Sequence, residues 1–430
     1  MRILWVKAGK LLPVDTGGKI RSYNILRGLT AQNEVTLLSY YGGERDTNYE
    51  REIADHLPGA VTIHTGIPDS SAIDYLRRLA SPAPYAVTKF TSPKVRRTIG
   101  GLLADAGFDI AVCDFLSGSL NFQSNTRIPT ALFQHNVESA LWDRQQKHES
   151  NPVKRLAFTL EAIKMRRYER AAVRYFDHVI AVSENDRQIM KTMVDESRIS
   201  VVPTGVDLSQ YQAAAGASAT EPLVVFLGSM DWEANIDAVE YYCREIWPRV
   251  HSRVSGARFR IVGRNPHPRV KRLASAGIEV TGTVHSVIEH LREAAVVVVP
   301  LRVGGGTRLK IFEAMAMGKA VVSTSIGAEG LDVHHDRDIL LADTADRFAD
   351  ATIALLSDRH LRQRIEHGAA ELAAQYDWSV IAERFEEVLA RVANERVEAA
   401  LRGRPSLKAQ DAAEGGAATE GRPYSVATNS

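Results

Sequence analysis

Residues 300–318 read Pro300-Leu-Arg-Val-Gly-Gly-Gly-Thr-Arg-Leu-Lys-Ile-Phe-Glu-Ala-Met-Ala-Met-Gly318, and the apolar run Ala295–Pro300 leads into them. That run is too short for a stable helix and rich in Val, so it reads as a buried strand. Gly304, Gly305 and Gly306 then make a turn whose backbone can approach a ligand closely. Thr307 has the chemistry of a helix N-cap. The helix it starts, near Arg308, carries Arg308 and Lys310 in its first turn and Glu313 slightly further in. Backbone donors, a positive dipole end and two cations together suit a diphosphate. A carboxylate one turn away can accept hydrogen bonds from ribose hydroxyls. The plainer alternative is a structural glycine turn among solvated charges. The order strand, glycines, cations, carboxylate favours the ligand-binding reading.

Outward from this stretch, short apolar runs alternate with helical segments. In the second half the runs are Leu223–Leu227, Phe259–Val262, Ile278–Thr281, Ala295–Pro300, Ala320–Thr324 and Ile339–Ala342. Helices over Asn235–Val250, Val287–Glu293, Leu309–Met317 and Ala345–Leu356 separate them. In the first half the runs are Ile3–Val6, Val35–Ser39, Val61–His64, Asp109–Cys113, Thr130–Phe133, His178–Val182 and Ile199–Val202, with helices over Arg21–Ala31 and Leu160–Phe176. This alternation predicts βαβ units and parallel sheets, an α/β fold. Tyr211–Thr220 reads YQAAAGASAT, which is linker chemistry. The expected organisation is two Rossmann-like domains, 1–208 and 222–376, joined by a linker at 209–221. Ile381, Phe385, Val388, Leu389 and Val392 recur at helical spacing, so 377–398 reads as a helix with one apolar face. The stretch 399–430 is Gly-, Ala- and charge-rich and reads as a disordered tail.

Composition agrees with two globular domains. The chain has 430 residues, 45% hydrophobic and 24% charged, beyond the size of one ordinary core. A net charge of +1 gives no global reason to expect nucleic-acid binding. Cys113 and Cys243 lie far apart in apolar contexts and point to neither a disulfide framework nor a zinc site, which fits a reducing cytoplasm. No apolar run reaches the ~20 residues that span a bilayer, and the opening residues lack a signal-peptide pattern.

In open α/β sheets ligands bind beyond the carboxyl ends of the strands. The chemistry-bearing residues cluster at such positions. Gly17 and Gly18, in Pro13-Val-Asp-Thr-Gly-Gly-Lys-Ile-Arg21, follow the first strand and read as a loop able to close on phosphate. Lys19 and Arg21 there can add charge or meet an acceptor. A glycine pair also serves any turn. His135 follows the strand Thr130–Phe133, where a lone histidine is as readily structural. Ser183 reads as a helix N-cap rather than a catalytic group. Arg264 follows Phe259–Val262 and can face a base or phosphate. Gly282-Thr-Val284 follows the next strand, with backbone at Val284 placed to read a base edge. The basic stretch Lys164–Arg174 can touch anionic lipid, or it is simply a solvated helix face.

Gly304-Gly-Gly-Thr-Arg-Leu-Lys-Ile-Phe-Glu-Ala-Met-Ala, with Ala320-Val-Val-Ser-Thr and Gly327-Ala-Glu-Gly-Leu331, resembles the donor motif of the retaining family 4, or group 1, glycosyltransferases of the GT-B fold. Gly228-Ser-Met-Asp-Trp-Glu-Ala-Asn-Ile-Asp-Ala238 is similar to a subgroup of sugar transferases from exopolysaccharide loci. The resemblance covers roughly residues 1–395. It implies two parallel-sheet domains facing across a cleft and a C-terminal helix, after Trp378, that returns to the first domain.

It further implies a nucleotide-diphosphate sugar donor, retention of anomeric configuration, and neither cofactor nor metal. His135 would then bond the donor sugar near its reacting carbon, while Arg308 and Lys310 stabilise charge on the leaving diphosphate. Donor contacts would fall on Gly17, Gly18, Gly228, Arg264, Val284, Gly305, Gly306, Thr307 and Glu313. One position departs from the pattern: eight residues before Glu313, where many members carry Glu, stands Gly305. The implied acceptor is a saccharide or lipid-linked sugar in exopolysaccharide or envelope glycan synthesis. The implied location is cytoplasmic, with peripheral contact at the inner membrane face left open. A GT-B nucleotide-sugar epimerase and a non-catalytic sugar-nucleotide binder remain as alternatives.

Overall fold

The computed structural model describes residues 1–68, 72–104, 107–122, 126, 128–148, 151–211, 221–303 and 309–401. The chain divides into two compact units. One takes Met1–Val202 and the chain from Arg384 on, and the other takes Pro203–Glu383.

The first unit holds seven described strands: β1 (Arg2–Ala8), β2 (Glu34–Tyr41), β3 (Val61–His64), β4 (Ile110–Asp114), β5 (Thr130–Phe133), β6 (His178–Ala181) and β7 (Ile199–Val201). They lie in the order β3-β2-β1-β4-β5-β6-β7, every pairing parallel. The second unit holds six: β8 (Leu223–Leu227), β9 (Arg258–Val262), β10 (Ile278–Gly282), β11 (Val296–Val299), β12 (Ala320–Ser323) and β13 (Leu340–Leu341). Their order is β10-β9-β8-β11-β12-β13, again all parallel.

Strands buried on both faces need near-continuous apolar sequence, and β8, β11 and β12 are buried at every position. Each sheet reverses direction of growth once, between β1 and β4 in the first and between β8 and β11 in the second. Such switch points open a crevice at the strand ends.

The second unit begins earlier than composition implied. Val206 donates its N–H to the carbonyl of Tyr376, and Trp378 donates to the carbonyl of Val206. The linker stretch 212–220 and the tail from 402 lie outside the described residues. The terminal helix runs Trp378–Leu401 and crosses the unit boundary. Ile381, Phe385, Leu389 and Val392 are buried as their spacing required. In the first unit Phe385 packs against Trp5 and Phe133, with ring centroids 5.5 and 4.9 Å apart.

The single helix expected over Asn235–Val250 is three segments: Glu233–Tyr241, a π-helical turn at Tyr242–Ile246, and Trp247–Arg253. The segments abut as one helical run, and Pro248 accounts for the π-helical turn, because it offers no N–H to the carbonyl of Arg244 four residues back. No helix of the described chain is long and apolar enough to cross a membrane.

Candidate functional site

At the switch point of the first sheet, two buried charged residues stand at the carboxyl ends of neighbouring strands. Lys7 of β1 sits directly across from Asp114 of β4, and its Nζ lies 2.8 Å from Asp114 Oδ2. Both side chains are buried, so each needs the other to offset the loss of water. Trp5 Nε1 also donates to Asp114, at 3.2 Å. His135 donates from Nε2 to Asp114 Oδ1 at 2.7 Å, and the Arg21 guanidinium donates to His135 Nδ1 at 2.9 Å.

The donors settle the protonation. Burial opposes charge on Asp114, but the Lys7 ammonium and the His135 bond outweigh it and hold the carboxyl well below its ordinary range. Burial pushes His135 down to about 3 despite Asp114, so the ring is neutral with its proton on Nε2. Burial also lowers Arg21 to about 10 against the pull of Asp186 and Asp114. Phe115 follows Asp114 with φ of 75°, a conformation costly for a side chain that size. Its ring stacks on His135 with centroids 3.7 Å apart, and Lys7 Nζ lies 4.6 Å from that ring's centre.

This geometry revises part of the sequence reading. Gly17 and Gly18 do not form a loop. They are the first two residues of the helix Gly17–Leu29. Gly18 is required because a Cβ there would meet the Phe115 ring at 2.4 Å. Lys19 turns back to Asp15 and the carbonyl of Pro13. Arg21 is buried on His135 rather than offered to an acceptor. His135 itself is 3% exposed with both ring nitrogens engaged. Ser183 caps the helix Glu184–Met190 through the N–H of Asp186. Lys164 bonds the carbonyl of Leu79 and pairs with Glu161.

At the switch point of the second sheet, β8 and β9 end in close backbone contact. Gly228 donates its N–H to Val262, and Gly263 rests against the carbonyl of Gly228. Lys310, the second residue of the helix Leu309–Ala316, reaches this corner. Its Nζ donates to Asn235 Oδ1 at 2.9 Å and stands 4.4 Å from the centre of the Phe226 ring. Asn235 in turn donates to the carbonyl of Ser229 at 2.9 Å. A Cβ on Gly228 would come within 3.0 Å of Lys310 Nζ, so the glycine keeps the ammonium next to backbone.

Glu313, one turn along, is half-buried and hydrogen-bonded to the phenol of Tyr211. Burial raises its carboxyl above the ordinary range, opposed by Tyr211 and Lys310. Burial, with Glu313 beside it, raises the Tyr211 phenol in turn. Arg264 is exposed and donates from Nε to Ser229 Oγ at 3.0 Å. Val284 is half-buried in the loop after β10. Gly305, Gly306, Thr307 and Arg308 lie outside the described residues.

The structure thus gathers Gly228, Lys310 and Glu313 on one strand-end corner and His135 with Arg21 on another. Sequence reasoning missed Asp114, Lys7, Asn235 and Tyr211. A charge inside a buried strand was the available signal for the first two, since such groups persist only when paired. Asn235 and Tyr211 carry no comparable local mark.

Comparison with known proteins follows the same division. The model described as "Glycosyltransferase Family 4" matches residues 16–210, and "Glycosyl transferases group 1" matches residues 221–358. A D-inositol 3-phosphate glycosyltransferase of Nocardia farcinica is 29% identical over 241 residues, 50% of this chain and 52% of that protein. In this match the chain spans about half the length of its curated relative. Among solved structures, sucrose-phosphate synthase from Thermosynechococcus elongatus superposes with a TM-score of 0.66 at 17% identity, covering 91% of this chain and 99% of that one. Anabaena Alr3699/HepE in complex with UDP and glucose gives 0.62 at 14% identity, covering 91% and 99%. The two parallel-sheet units are the GT-B architecture.

Proposed function

The chain belongs to the family 4, group 1 glycosyltransferases, and from that membership we propose that it moves a sugar from a nucleoside diphosphate sugar to a hydroxyl of a saccharide or lipid-linked acceptor, with retention at the anomeric carbon. The observation that carries the reading is the corner formed by Gly228, Lys310 and Glu313. An ammonium held by Asn235 beside bare glycine backbone suits a diphosphate. A half-buried carboxylate one helical turn on suits a ribose diol. HepE was solved with UDP and glucose, which supports a donor of that class in this reading.

In the proposed reaction the bond from the anomeric carbon to the diphosphate oxygen breaks, and one to the acceptor oxygen forms on the same face. The acceptor's proton passes to the departing diphosphate. Negative charge grows on that diphosphate in the transition state, and Lys310, with Arg308, is positioned in sequence to stabilise it. No protein base is needed. This agrees with His135, which is neutral and has both nitrogens occupied. Its role in this reading is to hold Asp114, Lys7 and Arg21 in one rigid polar cluster. We assign the reaction to exopolysaccharide or envelope glycan synthesis in the cytoplasm, where nucleotide sugars are available.

The test is a panel of UDP-, GDP- and ADP-sugars with saccharide and lipid-linked acceptors, read by nucleoside diphosphate release and by mass and anomeric configuration of the product. A new glycoside with the donor's configuration is expected. An epimerised donor, or donor binding with no product under every condition, would replace this reading with another.

A further inference from the structure

Trp232 is the one aromatic among the nine large apolar side chains that stand exposed in the described residues, at 60% exposure. Its backbone, by contrast, is fixed. The N–H donates to the carbonyl of Ser229 at 3.3 Å, and the carbonyl accepts from Asn235 at 2.9 Å and from Ile236 at 3.1 Å. A single exposed apolar residue is ordinary by itself. The surroundings of this one are specific. The loop 228–232 is tied to the loop after β9 through backbone: Met230 donates to the carbonyl of Arg264 at 2.9 Å, and His267 donates to the carbonyl of Met230 at 3.1 Å. Asp231 accepts from Ser229 Oγ at 2.6 Å and from Asn265 Nδ2 at 3.2 Å, and Arg264 donates to the same Ser229 oxygen at 3.0 Å. Asn265 holds φ of 51°, a left-handed conformation that asparagine tolerates better than most side chains. Asp231, Glu233, Arg264 and Asn265 are all exposed.

An apolar ring fenced by polar side chains does not suit the core of a protein interface, which needs a continuous apolar patch. It suits a pyranose. Such a ring has a flat face of C–H groups that packs on an aromatic face, and a rim of hydroxyls that carboxylate, amide and guanidinium groups bond. The path of contacts in the second unit says which part of a ligand this is. Glu313 and Lys310 lie three residues apart on one helix and so share a face. Lys310 donates to Asn235, and Asn235 donates to the carbonyl of Trp232. With ribose at Glu313 and diphosphate at Lys310, the next group of a nucleotide sugar falls at Asn235 and Trp232. We infer that Trp232 is the platform on which the donor's transferred sugar lies, with the sugar's hydroxyls meeting Asp231 and Asn265. This placement rests on the donor reading of the Gly228, Lys310 and Glu313 corner, and it adds the part of the ligand that the corner leaves unheld.

Titration calorimetry of the full chain with UDP, GDP and ADP, each alone and as its glucose and mannose conjugates, tests it. For the nucleotide that binds, W232A should lower affinity for the sugar conjugate about tenfold and leave affinity for the bare nucleotide within about twofold. W232F should restore most of the loss, since it returns a flat ring. The side chain is exposed, so both variants should keep the wild-type thermal midpoint. Unchanged conjugate affinity in W232A would overturn the inference, as would a W232F no better than W232A. An equal loss for bare nucleotide and conjugate would also overturn it, by putting the ring on the nucleotide. The donor reading fails in a different way: nucleotide binding that K310A leaves untouched, or none at all, removes the corner and this placement with it. Binding that K310A weakens and W232A does not removes Trp232 alone.

Discussion

The α-carbon of Gly263 rests on the carbonyl of Gly228, so closely that a side chain beginning there would put its first carbon 1.6 Å from the Gly228 oxygen. Backbone cannot yield as a flexible side chain can. G263A is expected to force β8 and β9 apart at their carboxyl ends and to destabilise the second unit by about 3 kcal/mol. Urea unfolding checks this, and an unchanged midpoint would show that the two strand ends have room to spare.

Lys310 is fixed by Asn235 rather than left to find its place when a ligand arrives. Losing one preorganised charge contact costs roughly 10²-fold in turnover. K310A should therefore lower kcat/KM by about that factor, and N235A by less, since the ammonium survives but loses its anchor. Steady-state kinetics on both variants decides it. Near-normal turnover in K310A would remove Lys310 from the reaction.

Asp114 accepts from Lys7, Trp5 and His135 in a buried site. D114N removes the counter-charge and leaves the Lys7 ammonium buried beside a neutral amide. Breaking such a pair on one side costs about 3–5 kcal/mol. Chemical denaturation of D114N should show a loss on that scale, with D114N/K7M recovering part of it. A loss near zero would mean that water reaches the pair.

Glu138 supplies a pH signature. Burial, with Glu169 beside it, raises its carboxyl to about 7 from an ordinary 4.5. Between those values the folded chain holds a proton that the unfolded chain has released. Stability from this group therefore falls as pH rises from 4.5 to 7 and is level above that. E138Q should flatten the fall, seen by comparing urea midpoints at pH 5 and pH 7.5. The same pH slope in E138Q and wild type would contradict the assignment.

The strands were legible because each is a short β-branched run. Val61–His64, Thr130–Phe133 and Leu223–Leu227 begin and end where composition placed them. Helices with weak apolar periodicity were harder to read. Thr47–His56 and Pro93–Ala104 gave no distinct signal, and the π-helical turn ahead of Pro248 leaves no mark in the apolar pattern. At the site, Lys310 and Glu313 were readable from their spacing after the glycines. Tyr211 was not, because it meets Glu313 only through tertiary contact across a long gap in sequence. Gly17 and Gly18 misled for the opposite reason. Glycine pairs usually mark turns, yet here Gly18 serves to let a helix pass close to Phe115.

Titration calorimetry with nucleoside diphosphates on wild type, K310A and E313A tests the proposed donor corner most directly. The proposal predicts measurable affinity for one nucleoside diphosphate in wild type. It predicts at least tenfold weaker binding in each folded variant, since each loses a charge-assisted contact. Undiminished affinity in both K310A and E313A would place the nucleotide elsewhere and contradict it.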